Sequence, residues 1–580
     1  LDSPEAAQNN SDGIILQDVD DFEKLINDID PTAIGVHLEA GGSGVAAAAT
    51  YIAAIRRRGL SPDGLKGSFN LDPLGSLVSD GFLISGINRS FDLMSDLARW
   101  CLENAPGIRA LSVSTLPHHS AGATPVQELA FALATGVEYL RAMENGGIHP
   151  EEACRQLRFV FASGRDLFAE VAKIRAFRQI WAQAARSSGV NGPEAAAVIH
   201  SVSSMRNQTI RDPWTNLLRV TVGAFAATVA GSDLVTTMPF DSLIGPSDPL
   251  ARRLALNTQT ILNEECHVNR VIDPGGGSWF IEKLTDELAH AAWSLFQEIE
   301  NRGGMRRLVI ENQLAGMLAP ASETARHDVA HRKTPITGVS TWPLLEEKGV
   351  TRDAPDVAAI LDRLISRPSP GSGSPDVQKA LAPLGDQAQR RDSVIETAIE
   401  AAGRGATLAE ISKALRSDGG PTRTIPLPVI RDATPFEDLR SLSDAVLKRT
   451  GARPRIFLAN LGPIPEHTAR ATFAKNFFEA GGIQTLNDGG FDTVESIRRQ
   501  FTASGAAIAC ICGSDRRYGE DAEPTARALK QAGATTVCLA GRPGDNEGPW
   551  REAGIDHFIF VGCDALETLQ SLMAELEVKS

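Results

Sequence analysis

Short apolar runs alternate with amphipathic helical stretches along most of this chain, and no other feature limits its fold as tightly. A strand followed by a helix, repeated, is the pattern of a parallel sheet covered by helices. In the first half the candidate strands are Gly13–Leu16, Ala33–Leu38, Gly67–Asn70, Leu111–Ser114, Leu157–Phe161, Val198–Ser203, Leu234–Met238 and Asn269–Ile272. Each precedes a helical pattern. Eight such βα units predict a closed (β/α)8 barrel over residues 1–340, with any chemistry on the loops that follow the strands.

Five more units follow from Arg455. Their strands fall near Ile456–Ala459, Ile483–Leu486, Ala507–Ile511, Thr536–Leu539 and His557–Phe560, and their helices begin near His467, Thr493, Glu520, Pro549 and Asp564. Residues 453–580 are therefore expected to form a flavodoxin-like, doubly wound five-stranded sheet. Such sheets bind ligands at their carboxyl edge, so the loop inside Arg455–Ala469, RIFLANLGPIPEHTA, is the first candidate site. Residues 341–452 read as a linker. It holds the turn-rich Arg367–Pro375, helical patterns around Val377–Leu381, Ser393–Ala402 and Leu408–Leu415, and the extended Thr424–Pro428.

Composition excludes several partners. With 580 residues and 42% apolar side chains the chain is long enough for two or three cores, and no apolar run reaches bilayer length. A net charge of −15 without a basic block makes nucleic acid and anionic membrane poor partners. The seven cysteines are scattered, and Cys510 and Cys512 lack the spacing of zinc or redox pairs. A reducing cytoplasm is the expected compartment. The chain opens on Leu1 rather than Met, and a preceding N-terminal arm is expected.

The fourth unit is the clearest of the first half. Thr124, Pro125 and Gln127 form a helix-start signal, and Val126, Leu129, Leu133, Val137 and Leu140 make one apolar face after it. In the loop before, His118 and His119 admit three readings: solvated loop residues, a catalytic acid, or metal ligands without partners at ligand spacing. Gly275-Gly276-Gly277 is either a phosphate cradle or a flexible strand-to-helix turn.

A barrel, a linker and a flavodoxin-like domain in that order resemble the adenosylcobalamin-dependent acyl-CoA mutases. Longer strings carry the resemblance further: Ala121-Gly-Ala-Thr124 with Glu128–Arg141, Glu170–Ala176 with Trp181, Asn257-Thr258 with Glu264-Glu265, Arg270–Pro274, and Gly303-Gly-Met305. They are most similar to the small (β) subunits of heterodimeric bacterial methylmalonyl-CoA mutases.

In cobalamin-binding members the loop after the first flavodoxin strand carries D-x-H-x-x-G, whose His bonds cobalt from below. Anchored on Gly462, those places are Ile464, Glu466 and Ala469 here, with His467 one residue late. One residue on a starting helix is a turn of about 100°, which aims the ring elsewhere. The Tyr-His pair of catalytic barrels is replaced by Leu116 and Pro117. Two arginines of such enzymes, one of them used toward substrate, are replaced by Asp92 and Gln156. The resemblance thus implies a small, non-catalytic subunit with no catalytic, cofactor-binding or metal residues of its own. Its partner would be a large subunit that binds adenosylcobalamin and interconverts (R)-methylmalonyl-CoA and succinyl-CoA. The alternatives are a self-sufficient mutase in which His467 or His118 has taken over, and a non-enzymatic scaffold or regulator.

Overall fold

The computed structural model describes residues 14–353, 356, 359–360, 362, 369, 371–390, 393–416 and 420–577. The chain divides into two compact units. The first comprises residues 1–205, 219–321 and 352–429, and the second comprises 206–218, 322–351 and 430–580.

In chain order the first unit contributes β1 (Val36–His37), β2 (Gly67–Leu71), β3 (Phe82–Leu83), β4 (Ile108–Ser114), β5 (Leu157–Ser163), β6 (Ile199–Ser203), β7 (Leu234–Thr236) and β8 (Thr422–Arg423). Six of them form a parallel sheet in the order β1-β2-β4-β5-β6-β7, while β3 and β8 make a separate antiparallel pair. Phe159 and Phe161 of β5 turn outward onto Phe177 of the Leu167–Ser187 helix, with ring centroids 4.6 and 4.8 Å away. The Pro125–Asn145 helix starts with the expected capping box, Thr124 and Gln127 each bonding the other's backbone. Gly136 lets that helix approach the sheet, because a Cβ there would lie 2.7 Å from Trp181 and 2.9 Å from Phe159.

Two of the eight expected strands are not formed by the described residues, so a closed eight-stranded barrel is not seen. Gly13 lies outside the described residues, and Ile14–Leu16 form no strand. Asn269–Ile272 begins as a 3-10 turn, Val268–Arg270, and then leaves Ile272 97% exposed. His267 and Asp273, at either end, adopt φ of 53° and 51°, and these left-handed residues break an extended run. Ala33–Leu38 shrinks to two paired residues because Asp30 draws Thr32, Ala33 and Ile34 into a turn.

The linker helices are Pro375–Arg390, Ile395–Gly403 and Leu408–Ala414. They are integral to the first unit: Val377, Leu384, Ile395, Ile399 and Ile411 join its core. Glu396 takes both guanidinium nitrogens of Arg56 at 2.8 Å and the Trp100 indole N–H at 2.6 Å. Thr424–Pro428 is extended as expected, its backbone N–H groups at Thr424 and Leu427 donating to Gly81 and Val78. Of Arg367–Pro375, Arg367, Pro368 and Pro370 lie outside the described residues, and Gly371–Gly373 form a turn.

The second unit holds β9 (Arg455–Asn460), β10 (Gln484–Leu486), β11 (Ile508–Cys512), β12 (Thr536–Leu539) and β13 (His557–Phe558). All are parallel in the order β10-β9-β11-β12-β13, the flavodoxin-like winding. Strands buried on both faces need apolar side chains throughout, and Ile456, Phe457, Leu458 and Ala459 supply them. No helix among the described residues is long and apolar enough to cross a membrane.

Candidate functional site

The strand order of the second sheet reverses between β9 and β11, and the crevice outside their carboxyl ends is where such a sheet takes a ligand. The loop after β9 is only Leu461-Gly462-Pro463. The helix begins at Ile464, not near His467 as the apolar pattern suggested. Pro463 caps that helix and Pro465 sits in its first turn, where a missing N–H costs nothing.

That early start fixes every side chain of interest. Ile464 and Ala469 are exposed. Glu466 reaches across the crevice to Arg516 and Arg517 at the start of the Asp515–Gln531 helix. The Arg517 guanidinium, with Arg516 beside it, holds the Glu466 carboxyl below its usual range. Gly462 has φ of 71°, and a Cβ on it would lie 2.9 Å from Arg517 Nε. His467 is 2% exposed, and its Nδ1 lies 3.1 Å from the Gly462 carbonyl oxygen. A Cβ on Gly490 would meet that ring at 2.7 Å, so the imidazole is wedged beneath the loop. Beside the crevice, buried Tyr518 accepts from the Gly513 N–H at 3.0 Å and donates to the Ala540 carbonyl at 2.8 Å. Its ring, with the Arg470 guanidinium 5.9 Å over it, fills the edge between β11 and β12.

In the first unit the stretch after β4 is a short helix, Leu116–Ser120, rather than a loop. Leu116 and Pro117 are half-buried on it. His118 is 3% exposed against Phe131, with ring centroids 5.0 Å apart. Burial pushes its pKa down to about 4, despite nearby Glu128 and the Ser114 backbone. His119 is tied instead into a buried network: Nδ1 is 2.8 Å from Glu128 and Nε2 is 2.7 Å from Ser204. Lys173 stands 3.3 Å from Glu128 and 2.8 Å from Glu170. Burial pushes the Glu128 carboxyl up, but Lys173 and His119 outweigh it and bring the pKa to about 2. Both histidines thus leave the solvated-loop reading, and no group of three or more His, Cys, Asp or Glu among the described residues is placed to hold a metal.

Sequence reasoning did not single out Glu128, Lys173 or Ser204 for this network. The available signal was a charge on an otherwise apolar helix face, as at Lys173 one turn before Ala176 and Phe177. The inner face of the sheet carries a second polar group that spacing could not reveal. Arg158, 1% exposed, donates to His37 Nδ1 at 3.1 Å, His37 lies 2.7 Å from Ser68 Oγ, and His200 lies 2.7 Å from Thr236 Oγ1. Burial, then Arg158 and His37, push His200 down to about 3.

The remaining candidates sit elsewhere. Asp92 lines a cleft of 500 Å³ with Arg99 and Arg306. Buried Gln156 accepts from the Ala110 N–H at 2.9 Å and anchors the start of β4. The glycine run is spoken for: Gly276 N–H donates to the Asp273 carbonyl and Gly277 N–H to Glu282, so these two amides are turned inward and the phosphate-cradle reading gives way to the turn.

Comparison with known proteins agrees with these strings. The profile of the family described as methylmalonyl-CoA mutase matches residues 1–421. A Streptomyces virginiae protein named methylmalonyl-CoA mutase small subunit is 41% identical over 558 residues, covering 96% of this chain and 78% of that protein. A Mycobacterium tuberculosis protein named probable methylmalonyl-CoA mutase small subunit is 37% identical over 480 residues, and the match spans 81% of this chain and 65% of that protein's length. The small subunit of Propionibacterium freudenreichii subsp. shermanii is 30% identical over 536 residues, 92% of this chain and 73% of that one. The chain belongs to the methylmalonyl-CoA mutase family.

Proposed function

We propose that this chain is a non-catalytic small subunit of a heterodimeric, cytoplasmic methylmalonyl-CoA mutase. Its large partner binds adenosylcobalamin and carries out the rearrangement between (R)-methylmalonyl-CoA and succinyl-CoA. The observation that carries this reading is Glu466. The turn that would present an imidazole to cobalt presents a carboxylate held by two arginines, and the neighbouring His467 is wedged under Gly462. The residues present do not fit a lower cobalt ligand. When bound to the partner, the cofactor supplies the radical that starts the rearrangement.

The first unit supports the same reading. Here the inner sheet face is occupied by Arg158, His37 and His200, and the place of a Tyr-His pair by Leu116 and Pro117. The chain retains the family's framework because that framework makes the interface to the large subunit. The test is reconstitution. Purified chain alone gives no turnover of methylmalonyl-CoA, and adding it to the large subunit raises activity in a 1:1 saturable way. Turnover by the chain alone would refute the proposal.

A further inference from the structure

The inner face of the first sheet buries a cation whose pairing is incomplete. Phe159 and Phe161 of β5 turn outward onto a helix, so the pleat aims Arg158 and Val160 at the opposite, inner face. Strand pairing sets Ser112 of β4 beside Arg158, and His200 of β6 beside Val160. β5 is flanked by β4 and β6, and β6 by β5 and β7, so neither strand is an edge of the sheet. Arg158 gives Nη1 to His37 Nδ1, 3.1 Å away. Its Nε and Nη2 are buried and have no hydrogen-bond partner among the described residues. His200 is 8% exposed, with Nε2 2.7 Å from the Thr236 hydroxyl, and its Nδ1 is likewise buried and without a partner among them. Arg158 stands close enough to His200 that its charge helps to lower the pKa of the ring. Asn70, whose backbone carbonyl accepts from Ser112 Oγ at 3.4 Å, adds a buried side-chain amide with neither atom partnered among the described residues.

Nε and Nη2 are the side-on edge of a guanidinium, two parallel N–H groups set at the spacing of the two oxygens of a carboxylate. A buried cation with that edge unused is costly until something pairs with it. Burial brings the Arg158 pKa down to about 10, against the pull of Glu39 and with a push from Arg109, so the group is still charged at neutral pH. Glu39 Oε1 lies 3.8 Å from Nη2, beyond hydrogen-bond reach, on a side chain that is 69% exposed. Its position marks a side from which a carboxylate in solvent can approach the edge. We propose that Arg158 and His200 bind a small monocarboxylate from solution, its two oxygens taking Nε–H and Nη2–H of the guanidinium and Nδ1–H of His200. The Thr236 hydroxyl, donating to Nε2, leaves the proton of the neutral ring on Nδ1 for this purpose. One fixed positive charge among neutral donors is balanced by one negative charge, which selects a carboxylate over a phosphate dianion in a buried site. The inference goes beyond the subunit reading and does not depend on it.

The experiment titrates the full chain with ¹³C-labelled acetate, followed by NMR and by thermal unfolding, with chloride at equal ionic strength as the control and inorganic phosphate as the second probe. Acetate binds saturably at one site per chain and raises the melting temperature, and phosphate binds at least tenfold more weakly. Arg158→Lys keeps the charge but loses the fork, and weakens acetate at least tenfold. Glu39→Gln removes a competing carboxylate at an exposed position and tightens acetate severalfold, which decides the matter even where the Arg158 variant does not fold. A wild-type chain without saturable acetate binding overturns the proposal, and so does acetate binding unchanged in Arg158→Lys. Acetate held by Glu39→Gln but not by wild type also overturns it, because Glu39 is then the group that fills the fork. Phosphate bound as tightly as acetate overturns the carboxylate class.

Discussion

The Glu466 carboxylate is bound by the Arg517 guanidinium across the point where the strand order of the second sheet reverses. In a doubly wound sheet that point is an open crevice, because the chain leaves β9 and β11 in opposite directions. Here the two flanking helices reach over it and join. Gly462 makes room for the pair by having no side chain, and His467 props the loop from below.

Gly462→Ala tests that closure. The residue has φ of 71°, which costs a side chain about 1–2 kcal/mol, and its Cβ would press on Arg517 Nε. Chemical denaturation should show a loss of that order, with faster hydrogen exchange confined to the start of the Ile464–Ala480 helix.

His467→Ala separates a structural histidine from a ligand. The ring is buried and bonded to the Gly462 carbonyl oxygen, so its removal should cost about 1–3 kcal/mol in urea unfolding. Corrin absorbance of the chain mixed with adenosylcobalamin should be the same before and after the change.

Lys173→Met leaves Glu128 buried without its cation. Breaking one partner out of a buried pair costs about 3–5 kcal/mol. The double variant Lys173→Met with Glu128→Gln should recover part of that loss, because Glu128 is then neutral and only Glu170 is left without its cation. Thermal unfolding of the three variants closes the cycle.

His118 makes stability depend on pH. Its folded pKa of about 4 lies below the ordinary imidazole value of 6.5, so the unfolded chain takes up a proton first as pH falls. The native state is therefore favoured above pH 6.5 and loses up to about 3 kcal/mol between pH 6.5 and 4 on account of this one ring. His118→Phe keeps an aromatic against Phe131 and should flatten the stability profile in that window while changing little at pH 7.5.

The second sheet was readable from sequence because its central strands are apolar runs bounded by Gly or Pro, and Thr536–Leu539 matches to the residue. The first sheet was readable only in its middle. Arg270-Val-Ile-Asp273 has the composition of a strand, but the left-handed turns at His267 and Asp273 are a matter of backbone, not of composition. The helix after β9 was placed late because Pro463 and Pro465 read as loop residues, although a first turn accepts both. At the candidate site, the register of Glu466 could be counted from Gly462, but its arginines lie 50 and 51 residues away. The tie between Glu128 and Lys173 spans 45 residues and two helices, so no local pattern could reveal it.

Titration of the purified chain with adenosylcobalamin, followed by absorbance and by electron paramagnetic resonance of the cob(II)alamin form with ¹⁵N-labelled protein, tests the central claim most directly. The chain alone should show no saturable spectral change, and binding should be normal once the large subunit is added. A corrin bound to the chain alone, with its cobalt coupled to a protein imidazole nitrogen, would contradict it.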